Sequence, residues 1–170
     1  IKGVGQAAID AIIEERQAKG EFADLFDFCQ RVDLKKVNRR TLEGLVMSGA
    51  MDVFGETRAT LMATLPAALK IAEQHSRDAE AGIQDLFGIA QATEQEKGPG
   101  TYHRLPEWLE EQRLHNEKQT LGLYLTGHPI DRYLAELKQF TSCRIVELKP
   151  TRNQTMVVAG LIIAIRTMNT

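Results

Sequence analysis

Lys2-Gly3-Val4-Gly5, followed at once by Gln6-Ala7-Ala8-Ile9-Asp10-Ala11-Ile12-Ile13, is the stretch whose reading decides the fold. Glycines permit positive φ and close backbone approach, so successive N–H groups in such a turn can converge on one point. A helix that follows adds its unpaired first-turn N–H groups and the positive end of its dipole. That assembly suits an anion, typically a phosphate. Three readings compete. Gly3-x-Gly5-x-x-Ala8 formally matches a dinucleotide fingerprint, which needs a strand before it and an acid ending a second strand about 20 residues on. Asp24 has the distance, but Phe22-Ala23-Asp24-Leu25-Phe26 does not read as a buried parallel strand. The second reading is a plain turn between helices. The third is the hairpin of a helix-hairpin-helix unit, which grips a DNA phosphate without reading bases.

The next turn along the chain bears on that choice. Arg31, Lys35, Lys36, Arg39 and Arg40 face one acid, Asp33, within ten residues, and they run into a helix start at Asn38. Two successive turns that favour anions suit two points on a duplex backbone. A solvated basic face is the bland alternative, and spacing alone leaves it open.

Outward from these turns the chain reads as mostly helical. Val4, Ala8, Ile9, Ile12 and Ile13 recur at helical spacing, so Gln6–Lys19 is expected to be an amphipathic helix stopped by Gly20. Asp24 is placed to cap a short helix carrying Leu25, Phe28, Cys29 and Val32, and Asn38 to cap one carrying Leu42, Leu45 and Val46 up to Gly49. A longer helix from about Glu56 carries Leu61, Leu65, Leu69 and Ala72, with Pro66 expected to kink or split it. Residues 73–101 are polar and are expected to form a mobile linker, interrupted by the apolar island 83–89 (IQDLFGI), which invites a partner. Helix is expected to resume near Pro106 and run to Leu121, with a short one over residues 130–137. Residues 156–166 (MVVAGLIIAIR) change period and read as a strand, bent at Gly160, opening an incomplete β domain.

Composition bounds the function. With 21 Lys and Arg against 23 Asp and Glu among 170 residues, the net charge of −2 excludes a uniformly basic coat but not a local patch. No apolar run reaches the roughly 20 residues of a membrane helix. Two cysteines, Cys29 and Cys143, suit a reducing cytoplasm better than a disulfide framework. The chain opens at Ile1 inside a glycine turn and stops at Thr170 after an unpaired apolar run, so it is expected to be a piece of a larger protein.

Three blocks, IKGVGQAAIDAI, DLFDFCQRVDLKKVNRRTLEGLVMSGAMD and LHNEKQTLGLYLTGHPID, resemble in order the C-terminal half of the α (catalytic) subunits of bacterial DNA polymerase III. The resemblance runs over almost the whole chain. It implies a mainly α fold. Residues 1–72 would form a tandem helix-hairpin-helix region whose first helix lies upstream. Residues 73–101 would be a linker with a clamp-binding peptide, 102–141 connecting helices, and 142–170 the start of an OB-type barrel. Lys2, Gly3, Val4 and Gly5 would be the first DNA hairpin, and Lys35, Lys36, Asn38, Arg39 and Arg40 the second. Ile83, Gln84, Asp85, Leu86 and Phe87 would meet the sliding clamp. Asp85-Leu86-Phe87 matches the end of the family's clamp motif, whereas Ile83 stands where its glutamine belongs and Gln84 falls one residue late. Duplex DNA, the clamp and other replicase subunits are the implied partners.

The catalytic inventory is empty. Two-metal polymerases cluster carboxylates, and no Asp-x-Asp occurs here; Glu14-Glu15 and Glu110-Glu111 are adjacent on helices and diverge. His75, His103, His115 and His128 have no zinc-like spacing with either cysteine. Neither catalytic residues nor a metal or cofactor site is therefore expected in this chain, and the parent polymerase's Mg²⁺ carboxylates would lie upstream. Two rival classes stand beside this reading: a non-enzymatic helix-hairpin-helix repair module, and a helical protein-interaction domain with no DNA role.

Overall fold

The computed structural model describes residues 1–80, 100–149, 153–162 and 165–168. It divides into two compact units, Ile1–Leu123 and Tyr124–Thr170. Secondary structure among the described residues is helical. The first unit holds α1 (Gln6–Lys19), α2 (Leu25–Arg31), α3 (Arg39–Met47), a 3₁₀ turn at Asp52–Phe54, α4 (Arg58–Glu80) and α5 (Glu110–Leu121). The second holds α6 (Leu134–Phe140) between 3₁₀ turns at Asp131–Tyr133 and Ile145–Glu147.

The first three helices start and stop where local chemistry directs. Gly20 follows α1 at φ +83°, where an L side chain would be strained. The Asp24 carboxylate accepts the Asp27 N–H at 2.8 Å, and the Asn38 side-chain oxygen accepts the Thr41 N–H at 3.0 Å. Substituting Asn38 with alanine leaves one first-turn donor of α3 without that acceptor. The expected loss is about 1 kcal/mol, read as a lower midpoint in urea denaturation. An unchanged midpoint would show that water replaces the cap without loss.

Leu25, Leu42, Leu61, Leu65, Val37 and Val46 are fully buried where α2, α3 and α4 meet. Each such side chain contributes about 1.5–3 kcal/mol by leaving water. Burial also lifts the Cys29 thiol to a pKa of about 12, with the nearby Asp24 charge adding to the effect. The inward face of α1 differs from the expected isoleucine stripe. Ala8 and Ala11 are buried and Val4 and Ile12 pack against the core as expected, whereas Ile9 and Ile13 remain 38% and 36% exposed. Two small residues let α1 approach the core closely, and the larger ones splay to its flanks.

Three expectations about the chain's organisation are corrected. The helix carrying Ala72 does not end there: α4 runs unbroken to Glu80, past the expected boundary between 72 and 73 and through Pro66. Its polar end carries one-turn pairs, Gln74 to Asp78 at 2.8 Å and Arg77 to Glu73 at 3.6 Å, which support a helix without a core beneath it. Pro66 sits on the exposed face, so its missing N–H is a small loss against the buried stripe Leu61, Leu65, Ala68 and Ala72.

Second, residues 100–109 are not helical, and α5 begins only at Glu110. This strap lies along α4 because α4's buried hydroxyls need partners. Thr60 Oγ1 accepts the Leu105 N–H (2.9 Å) and donates to its carbonyl (3.1 Å), while Thr64 Oγ1 accepts the His103 N–H at 3.0 Å. The Glu107 carboxylate caps α4, accepting the N–H groups of Arg58 (3.0 Å) and Ala59 (3.3 Å). At the strap's start Tyr102 accepts the Leu25 N–H at 3.1 Å, and burial pushes its phenol pKa up. A helix through Pro106 would turn these groups away.

Third, the expected strand over 156–166 is not formed among its described residues. A strand needs a neighbour to complete its ladder. Here Val157 instead meets Ser142, its carbonyl taking the Ser142 N–H at 2.8 Å and its own N–H donating to Ser142 Oγ at 3.1 Å. Ile162 and Ile165 are 76% and 83% exposed.

Candidate nucleic-acid interface

The first hairpin is tied down at its entry. Lys2 N–H donates to the Thr120 carbonyl at 2.7 Å, and Val4 N–H to the Ile1 carbonyl at 3.3 Å. Gly3 takes φ +84°, the left-handed region that this turn requires. Gly5 is the N-cap residue of α1 and offers its first turn no side-chain acceptor. The α1 N-terminus thus lacks the side-chain cap that α2 and α3 possess. Lys2, Gly3 and Gly5 are exposed, and Val4 turns partly onto the core.

The second turn is organised by Asp33. Its carboxylate accepts the Lys35 N–H at 2.9 Å, and its carbonyl accepts those of Lys36 (3.0 Å) and Val37 (2.8 Å). Val37 is buried as the turn's anchor, which leaves Lys35, Lys36, Asn38, Arg39 and Arg40 exposed around it. The two turns meet through Arg40, whose Nε lies 4.0 Å from the position a β-carbon would take on Gly3.

The cations have different duties. Arg31, counted with the basic cluster from sequence, is a structural clamp with only 14% of its side chain exposed. Its guanidinium donates to Glu15 (3.3 Å), Asp27 (3.0 Å) and the carbonyls of Glu21 (3.0 Å) and Gly20 (2.8 Å), and it stacks 4.5 Å from the Phe22 ring centre. Glu15, hydrogen-bonded to Lys19 and then to Arg31, is held below the ordinary carboxylate pKa. Arg39 pairs with Glu43 one turn on, at 2.8 Å. Lys2, Lys35, Lys36 and Arg40 make no ion pair with described residues and project four positive charges to solvent. Asn38, expected at the interface, spends its side-chain oxygen on the α3 cap.

The same unit holds a largely buried ion-pair network that the sequence does not reveal. Arg58, 3% exposed, reaches Glu117 Oε1 through Nη1 at 2.9 Å, and Glu117 is fully buried. The other edge of the guanidinium grips Asp52, with Nη2 to Oδ2 at 2.7 Å and Nε to Oδ1 at 2.9 Å. The Asp52 hydrogen bonds, then the Glu117 one, push the guanidinium pKa further up against the opposing effect of burial. A β-carbon on Gly49, at φ +81°, would lie 2.2 Å from Nη2, so only glycine admits the guanidinium here. In sequence Arg58 reads as one more charge at a helix start; its partner lies 59 residues away.

Ile83, Gln84, Asp85, Leu86 and Phe87 lie outside the described residues. Among the described residues no three His, Cys, Asp or Glu side chains gather as a metal site, and no helix is long and apolar enough to cross a membrane.

A glycine hairpin opening one helix, and a basic turn beside it opening another, are the features of a helix-hairpin-helix motif. The family model described as helix-hairpin-helix motif matches residues 1–61, which include both turns. Over its whole length the chain is a homologue of one segment of the DNA polymerase III α subunits. It is 50% identical to the DNA polymerase III subunit alpha of Vibrio cholerae across 100% of the chain, and 47% identical to that of Escherichia coli K12, also across 100%. The Pseudomonas fluorescens subunit is 47% identical across 99% of the chain. The chain spans about 15% of the length of each of these relatives.

Proposed function

We propose that this chain is the DNA- and clamp-tethering part of a replicative DNA polymerase α subunit, a cytoplasmic enzyme that transfers nucleotides to DNA. The observation that carries the reading is the basic face where the Gly3 turn and Arg40 meet, with Lys2, Lys35 and Lys36 exposed beside them. Point charges and backbone N–H groups suit phosphates and carry no base code, so the contact is with duplex backbone and is insensitive to sequence. Nucleotidyl transfer itself is assigned to no residue of this chain. The Mg²⁺ of the parent polymerase belongs to other parts of such a subunit.

Four neutralised phosphates give a log–log salt slope of about −3.6. Fluorescence anisotropy on a labelled mixed-sequence duplex across a salt series measures it. Affinity independent of salt would sink the DNA role.

The clamp belongs to the same proposal. Leu86 and Phe87 are the anchors for an apolar pocket on the cognate sliding clamp, and anchors of that kind usually supply most of the binding energy. Micromolar binding, about −8 kcal/mol, is expected for the wild type, with most of it lost in a Leu86→Ala/Phe87→Ala variant. Equal binding by the two proteins would remove the clamp from the proposal and leave the DNA tether. Residues 142–170 are read as the opening of an OB-type domain. Other replicase subunits complete the partners.

A further inference from the structure

The block that the DNA reading leaves unused is residues 117–122, Glu-Lys-Gln-Thr-Leu-Gly, the last turns of α5. Its beginning is anchored in the interior, because Glu117 is fully buried on Arg58. Its end meets the first hairpin. The Thr120 hydroxyl turns back onto the Asn116 carbonyl at 2.7 Å, while the Thr120 carbonyl receives the Lys2 N–H at 2.7 Å. The helix then closes at Gly122, φ +80°, and the Lys2 ammonium lies 3.8 Å from where a β-carbon would stand on that glycine.

From this geometry we propose that the C-terminal turn of α5 is a positioning element for Lys2, holding its backbone and its ammonium in the phosphate-binding attitude. The inference rests on the DNA reading and deepens it. Two features fix Lys2: the Thr120 carbonyl sets the backbone, and the left-handed turn at Gly122 places the end of α5 within van der Waals reach of the side chain. Both depend on a left-handed residue at 122, which glycine and, less readily, asparagine adopt, and which a β-branched residue resists. A Gly122→Val chain moves the turn and releases Lys2 while leaving Lys35, Lys36 and Arg40 in place.

The test is a double-mutant cycle in the intact chain, read as the salt slope of binding to a mixed-sequence duplex. Lys2→Ala should reduce the slope by about 0.9 in the wild-type background. Gly122→Val should produce the same reduction alone, adding Lys2→Ala to it should change nothing, and Gly122→Asn should restore the slope. Protection of the Lys2 amide from hydrogen exchange should fall in Gly122→Val and return in Gly122→Asn. Where Gly122→Val does not fold, Gly122→Ala carries the same cycle. The inference is overturned if Lys2→Ala subtracts the same amount in both backgrounds, or if Gly122→Asn is no better than the valine. A wild-type chain that binds duplex with no salt dependence removes the DNA reading itself, and this inference with it.

Discussion

Replacing Glu117 with alanine should lower the unfolding free energy by about 3–5 kcal/mol, the range for breaking a buried ion pair by removing one partner. The size follows from what remains, since Arg58 is 3% exposed and would keep its charge with one edge facing a cavity. Asp52 still holds the other edge through two nitrogens, which caps the loss. Glu117→Gln should lose less, because an amide oxygen still accepts from Nη1. Arg58→Met should differ again, because it takes the guanidinium away from the buried Glu117 carboxylate and from Asp52 together. Urea denaturation followed by far-ultraviolet dichroism measures all three. A Glu117→Ala midpoint within error of the wild type would show that water enters and solvates the guanidinium, and the network would lose its role in stability.

The second large effect is on binding. A Lys35→Ala/Lys36→Ala/Arg40→Ala chain should bind duplex roughly 500-fold more weakly at about 0.1 M salt, with the slope falling from about −3.6 to about −0.9. All three side chains are exposed and carry no ion pair with described residues. Their loss should therefore change stability by only about 0.5 kcal/mol, the usual range for surface substitutions. That separation makes the experiment decisive. Unchanged duplex affinity in a folded triple variant would favour a helical protein-interaction domain. Arg31→Ala is the contrasting control: it would unfasten the end of α1 from α2 and act on stability, through the Glu15 and Asp27 carboxylates and three carbonyls.

The likeness between Arg31 and Arg40 in the sequence, and their different fates, shows where reading along the chain runs out. Both belong to one basic cluster around one acid. Arg40 follows a capped helix start and stays in solvent beside Gly3, whereas Arg31 ends a helix against the loop from Gly20 to Phe22 and is drawn into it. Asp27 is local to Arg31, but the carbonyls and the Glu15 carboxylate that draw it in stand 10 to 16 residues away. The same holds for Arg58, whose burial is decided by Glu117, 59 residues on.

What the amino-acid order determined by itself is the set of features whose physics is local. The bounds of α1, the caps at Asp24 and Asn38, and the left-handed stops at Gly20 and Gly49 depend on neighbours within four or five residues. Tertiary structure decided the rest. The strap over 100–109 is extended because buried hydroxyls on α4 require partners, against the helical bias of Pro106 and its neighbours. α4 runs past Ala72 because one-turn polar pairs sustain it where the apolar stripe has ended. Burial, and the partners that burial demands, are properties of surfaces brought together from distant parts of the chain. An unsatisfied polar group inside a protein is far more costly than a weak local preference, so it overrides that preference wherever the two conflict.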